Sequence, residues 1–226
     1  MERLSTGVKG LDELIGGGLK PGSINLIAGE PGCGKSVFSV HYIMAGAEAG
    51  ETCLYVSVEE KRDKFYSNME GFGFDMQKLE DEGKLIFHKT TVSEMRNLLD
   101  QGLISFEEYF KPHQIKRVVL DSVTALMLAY NAETAQRNAL MVLFEAMEKW
   151  GATVLVTSEV ESGAARFGVE YLVDTIIHLY YVKIGQERVR TLEVFKMRGT
   201  DHTKQEIVYR LGKGGMILYP NEKVLV

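Results

Sequence analysis

Apolar and polar positions along the chain alternate between two periods, and the order of those periods outlines the architecture. Ile24 to Ala28 is a continuous apolar run of strand length, as are Thr52 to Val58, Arg117 to Asp121 and Thr153 to Thr157. Runs this short, apolar throughout, suit strands buried on both faces of a sheet. Helical spacing lies between them. Val37, Phe38, Val40, Tyr42, Ile43 and Met44 predict a helix ending near Gly50. Leu140, Leu143, Phe144 and Met147 form one stripe of a helix from about Glu133 to Trp150, and such a stripe is core. Lys61 to Gly71 reads as a charged helix broken by Gly73, Lys84 to Lys89 as a short strand, and 92–110 as mixed helical periodicity. Near the start, Leu11, Leu14 and Ile15 share one face of a short helix stopped by Gly16 to Gly18, and Pro21-Gly22 turns the chain into the first strand.

After Val173 the period changes. Ile176 to Val182, Val189 to Met197, Glu206 to Leu211 and Met216 to Leu218 are strand-like. Turns at Gly185-Gln186, Gly199-Thr200 and Gly212 to Gly215 separate them. The whole predicts one α/β domain over 1–226: a mostly parallel central sheet flanked by helices and extended by C-terminal antiparallel hairpins. Residues 1–23 are a lead-in and 173–226 the hairpin extension. Glu159 to Gly168, rich in Gly and Ala, reads as a loop.

One stretch gives the pattern a chemistry. Gly29-Glu30-Pro31-Gly32-Cys33-Gly34-Lys35-Ser36 fits Gly, four free residues, then Gly-Lys-Ser/Thr, and it lies between a strand and a helix, the context a phosphate loop requires. Its glycines let backbone N–H groups turn toward phosphate oxygens, and the helix N-terminus adds about half a positive charge. Gly29, Pro31, Gly32, Cys33, Gly34, Lys35, Ser36 and Val37 are the nucleotide-contacting candidates on this side. Lys35 would reach the β- and γ-phosphates, and Ser36 would ligate Mg²⁺. Asp121 ends an apolar strand 85 residues after Ser36, where a metal-holding aspartate belongs in P-loop ATPases. Glu59 and Glu60 end another strand, bordering the same crevice. Adjacent carboxylates raise one another's pKa, which suits a base that activates water; acids also favour a first helical turn, so one of the pair can serve each purpose. Lys196 and Arg198, two apart, point to one face of a strand. They suit the cation that phosphoryl transfer recruits, and they suit equally a solvated hairpin surface.

Composition narrows the setting. Hydrophobic content of 45% permits a sizeable core. No apolar run approaches the roughly 20 residues of a membrane span, and the start lacks the apolar segment of a secretory signal. The two cysteines, Cys33 and Cys53, form no metal-like cluster. The expectation is a cytoplasmic protein without a membrane partner. Net charge is −5, which argues against general nucleic-acid binding, but residues 183–226 carry nine Lys/Arg against five Asp/Glu. That end is either a solvated face or a surface that meets phosphates.

Taken together these residues resemble the KaiC branch of the RecA/RadA superfamily. The likeness runs nearly end to end, through Ser5-Thr6-Gly7-Val8-Lys9-Gly10-Leu11-Asp12, the phosphate loop, Glu59-Glu60, Arg117 to Thr124 and Lys196-Met197-Arg198-Gly199-Thr200-Asp201-His202. The resemblance implies a RecA-like P-loop core using ATP and Mg²⁺, assembled as a hexameric ring of identical copies. In it Lys196, Arg198 and His202 would reach the nucleotide of the adjacent copy, and Glu59 or Glu60 would activate water. KaiC joins two such domains and its autophosphorylating one carries adjacent Ser and Thr. Here the matching stretch is Glu170-Tyr171-Leu172-Val173-Asp174-Thr175, so the implied activity is a slow regulatory or signalling ATPase without autokinase activity. The alternative is a RadA-like accessory protein binding single-stranded DNA through Glu159 to Gly168, with Arg166 its cation beside Glu159 and Glu161. A nucleotide-gated scaffold without useful turnover is a third reading.

Overall fold

In the computed structural model, residues 2–103, 108, 111–161 and 164–222 are described. The first half supplies β1 (Ile24–Gly29), α1 (Lys35–Glu48), β2 (Cys53–Ser57), α2 (Arg62–Glu70), α3 (Met76–Asp81), β3 (Leu85–Lys89) and α4 (Val92–Asp100). Next come β4 (Arg117–Asp121), α5 (Val123–Met127), α6 (Glu133–Trp150), β5 (Thr153–Glu161) and β6 (Ala164–Ala165). The chain closes with β7 (Thr175–Ile184), β8 (Glu187–Met197), β9 (Ile207–Gly212) and β10 (Gly215–Tyr219).

The strands form one sheet ordered β10-β9-β8-β7-β1-β5-β4-β2-β3, with β6 against the end of β5. All pairings from β7 to β3 along that path are parallel, and those from β7 through β8 and β9 to β10 are antiparallel. β7 therefore belongs to both halves, and the purely antiparallel extension begins at β8. Side-chain alternation divides the core in two. Ile24, Leu26, Leu54, Val56, Val118, Leu120, Val154 and Val156 pack on the face of α4, α5 and α6. Ile27, Tyr55, Val119 and Leu155 pack on the face of α1, α2 and α3. Period 2 makes each central strand apolar throughout, as expected for strands covered on both sides.

The mostly parallel α/β sheet with antiparallel C-terminal strands is as the pattern predicts, and most element bounds agree within a residue or two. Two helices were not legible. α5 is buried at every position and only five residues long, so it shows no polar face and reads as part of the β4 run. α3 is a six-residue helix started by the Asp75 carboxylate, which accepts from the Lys78 N–H at 2.9 Å. Its two buried residues, Met76 and Leu79, are too few for a period. The expected loop from Glu159 to Gly168 is corrected: β5 runs on to Glu161, Val160 pairs with Ala165, and a 3₁₀ helix spans Arg166–Tyr171. Small residues that suggest a loop also permit a tight antiparallel return. The Arg166 side chain and residues 162–163, invoked for DNA contact, lie outside the described residues, as does part of 92–110.

Candidate functional site

Strand, glycine-rich loop and helix fold as the motif demands. β1 ends at Gly29, and α1 begins at Lys35 after Gly34 in a left-handed conformation, φ 100°. A Cβ on Gly34 would also meet Leu211 Cδ1 at 2.9 Å, so glycine is required twice over. The loop lies at the C-terminal edge of the parallel strands, the ligand edge of such sheets. Lys35 Nζ donates to the carbonyls of Gly29 at 2.8 Å and Glu30 at 3.1 Å. Val37 points into the core from the first turn of α1. Cys33 is buried, and burial raises its thiol pKa, which disfavours the reactive thiolate.

Asp121 is where the strands converge. Its Oδ2 accepts from Ser36 Oγ at 2.9 Å and from Tyr55 Oη at 2.6 Å, and its Oδ1 from Thr157 Oγ1 at 2.5 Å. β1's loop, β2, β4 and β5 thus meet on one carboxylate. Burial, and next the Asp121 carboxylate, push the Tyr55 pKa up, so its phenol keeps the proton it donates. Ser36, Ser57, Glu59, Glu60, Lys61, Lys64 and Asp121 line an open cavity of about 520 Å³, within the usual range for ligand sites. The Ser36 hydroxyl and Asp121 carboxylate are hard oxygen donors, and Mg²⁺ takes one or two such groups plus substrate phosphates. The residues present fit that ion.

The adjacent carboxylates differ. Ser57 Oγ accepts from Glu60 N–H at 3.1 Å and donates to the Glu60 carbonyl at 2.7 Å, closing a turn over the pair. Glu60 Oε1 accepts from Asn68 Nδ2 at 2.9 Å and lies 3.6 Å from Lys64 Nζ, both on α2. Glu59 faces Asp121 and Ser122. Its outer edge is open to solvent, yet partial burial raises its pKa, followed by the charges of Asp121 and Glu159 and opposed by Ser122 and Lys35.

Lys196, Arg198 and His202 are not brought to the loop of their own chain. Lys196 pairs with Ile176, which is level with Leu26 on β1, three residues or about 10 Å short of Gly29. β8 runs away from the loop edge, so Arg198 and His202 lie farther still. Lys196 Nζ donates to the carbonyls of Val173 at 2.7 Å and Glu170 at 3.1 Å. Burial, and next Arg198, lower its pKa. Arg198 Nη1 is 3.5 Å from Asp174 Oδ1 and Nη2 donates to the Tyr171 carbonyl at 3.4 Å. His202 Nδ1 donates to the Thr203 carbonyl at 2.8 Å.

Two contacts to the loop and one to its helix escaped the sequence reading. Arg190 Nη2 donates to the Gly32 carbonyl at 3.3 Å, with its guanidinium 4.1 Å from the Tyr181 ring centre. Tyr209 Oη donates to the Cys33 carbonyl. His41 Nε2, on α1, accepts the Met216 N–H at 2.7 Å. All come from β8, β9 or β10 or tie to them. Only the excess of cations after residue 183 hinted that this end lies near the loop.

Comparison with known proteins bears on the family and the fold. The family model described as "ATPase: KaiC" matches residues 4–223. A UPF0273 protein of Thermotoga maritima is 34% identical, covering 98% of both chains. The circadian clock protein KaiC3 of Synechocystis is 32% identical over 97% of this chain, which spans 46% of that longer protein. Among solved structures, a KaiC-like protein from Pyrococcus horikoshii superposes with a TM-score of 0.88 at 30% identity, covering 97% of this chain and 99% of that one. With the loop, the strand-end aspartate and the matched length all in agreement, the chain belongs to the KaiC ATPase family.

Proposed function

We propose that the chain is a Mg²⁺-dependent ATPase that works as a ring of identical copies, six by family likeness. ATP sits on one copy's phosphate loop and is closed over by the next copy's Lys196, Arg198 and His202. The observation that supports this best is the opposed placement of two half-sites. A phosphate loop with a carboxylate and hydroxyl ready for metal occupies one edge of the sheet, and a cation pair occupies the other, out of reach of its own loop.

The roles follow from the contacts. Lys35 exchanges the Gly29 and Glu30 carbonyls for phosphate oxygens. Ser36 and Asp121 would hold Mg²⁺, which would neutralise charge on the phosphates. Tyr55 and Thr157 keep the Asp121 carboxylate aimed at Ser36. Glu59, with its raised pKa, takes the proton of the attacking water, and Glu60 anchors the start of α2. Arg198 and Lys196 of the neighbour stabilise the charge that develops as the γ-phosphoryl group leaves. Turnover is slow and regulatory, and no self-phosphorylation occurs through the 170–175 stretch, whose single hydroxyl besides Tyr171, that of Thr175, is buried in β7.

Measuring ADP release alongside native mass, with and without ATP and Mg²⁺, tests the reading. We expect assembly and turnover to appear together, and Lys35→Ala to cut turnover by at least about 10²-fold, as loss of a main phosphate contact should. Full turnover by a monomer would overturn the ring.

A further inference from the structure

We infer that the lead-in, residues 2–23, positions the turn that carries Arg198, acting through Lys20 and Arg3. The inference rests on the role given to Arg198 above.

Arg198 lies one residue past the end of β8, and its guanidinium contacts are long, at 3.5 and 3.4 Å. Where it aims is therefore set by its backbone. Both peptide groups flanking it are held. Its N–H donates to the Asp174 carbonyl at 3.0 Å. Its carbonyl accepts from Lys20 Nζ at 2.6 Å. Two residues on, Arg3 Nη2 donates to Thr200 Oγ1 at 2.8 Å while Nη1 reaches the Gly18 carbonyl at 3.3 Å. The Thr203 N–H closes the turn by donating to the Leu14 carbonyl at 2.9 Å.

The clamp is itself anchored. Leu4 and Leu19 exchange backbone hydrogen bonds of 2.8 Å, and a Cβ on Gly18 would fall 2.3 Å from the Leu4 carbonyl oxygen. Asp12 accepts from Thr6 N–H at 2.9 Å and from Thr6 Oγ1 at 2.6 Å. The buried Arg117 Nη1 donates to the Ser5 carbonyl at 2.6 Å. Gly199, at φ 62°, leaves room for the ammonium: a Cβ there would lie 2.7 Å from Lys20 Nζ. Neither Lys20 nor Arg3 touches the phosphate loop of its own chain. Their hydrogen bonds go to the turn and the clamp.

The test is a double-mutant cycle on ATP turnover by the full chain. Lys20→Met should lower kcat about tenfold, a part of the hundredfold that a 1 Å misplacement can cost, with KM for ATP and ring mass unchanged. Lys20→Arg should restore most of the rate. Arg3→Met should cost less, since it holds the turn two residues farther on. In an Arg198→Ala background, Lys20→Met should have no further effect. An unchanged kcat in Lys20→Met, or an equal loss in both backgrounds, overturns the inference; the second result would mean that Lys20 acts independently of Arg198. Arg198→Ala by itself reports on the underlying role: wild-type turnover there would remove the trans role whatever Lys20 does.

Discussion

At the phosphate-loop edge, Ser36, Tyr55 and Thr157 all donate to Asp121, and Lys35 caps the loop's own carbonyls. At the opposite edge Lys196 and Arg198 bond largely to backbone carbonyls of residues 170–173, with Asp174 at 3.5 Å from Arg198 as their facing carboxylate. One edge is wired among its chemical groups and is preorganised within a single chain. The other is wired mostly to scaffold carbonyls, with an ion pair to Asp174, which fixes its place. Such a difference suits two halves of a site that meet only on assembly. A single strand serves both, since β8 carries Arg190 against Gly32 and Lys196 six residues later.

Mixing two dead variants breaks or sharpens this contrast most sharply. Arg198→Ala alone should lose about 10³–10⁵ in turnover while still binding ATP. Lys35→Ala keeps its cation edge but loses its loop. In a random equal mixture about a quarter of head-to-tail interfaces pair an intact loop with an intact edge, so up to about that share of wild-type activity should return. If both edges served the same chain, mixing would restore nothing, and the separation described above would be an accident of the free subunit.

Next in size is the separation of Glu59 from Glu60. Glu59→Gln should lower kcat by about 10²–10⁴, the usual worth of a general base, and Glu60→Gln by less than about tenfold, since that side chain faces Lys64 and Asn68. The acid limb of the pH–rate profile follows the raised Glu59 pKa. Activity should fall on acidification at a pH above the ordinary 4.5 of a glutamate. The sign for stability is opposite. A raised carboxylate pKa contributes stability at low pH that is lost as pH rises through the folded value, so Glu59→Gln should unfold no earlier than wild type at pH 7. A glutamine at 60 that abolished turnover would reverse the assignment.

What could be read from residues alone divides along the same line. The loop, Asp121 and the central strands are local signals: a glycine spacing, an apolar run, a terminal carboxylate. The different surroundings of Glu59 and Glu60 were not a local signal: Glu60 meets Lys64 and Asn68 beyond a turn closed by Ser57 Oγ, which a pair of adjacent acids does not announce. Arg190 and Lys20 were beyond reach for a simpler reason. Their partners, Gly32 and Arg198, are 158 and 178 residues away, and nothing but the folded sheet order brings them together. Lys196 and Arg198 were expected on one face by strand alternation. Both reach residues 170–174, Lys196 from within β8 and Arg198 from just past its end, and the register shift at Ile176/Ile177 falls at Phe195, before either of them.

The smallest effect concerns the tie between the loop helix and the antiparallel strands. His41 is buried on α1, its ring edge-on to Phe74 at 5.0 Å, and its Nε2 must be unprotonated to accept the Met216 N–H. Burial lowers its pKa from 6.5 to about 4. The unfolded chain then takes up the proton more readily than the folded one. Stability from this residue is complete above pH 6.5 and drains away as pH falls toward 4, by roughly 3 kcal/mol if no other group compensates. His41→Gln offers an acceptor that does not titrate. Urea unfolding at several pH values between 7.5 and 4.5 should show wild type losing stability faster than the variant, with both turning over ATP at similar rates near neutrality. Parallel losses would mean that protonating His41 does not loosen this tie, leaving Arg190 and Tyr209 to hold the extension against the loop.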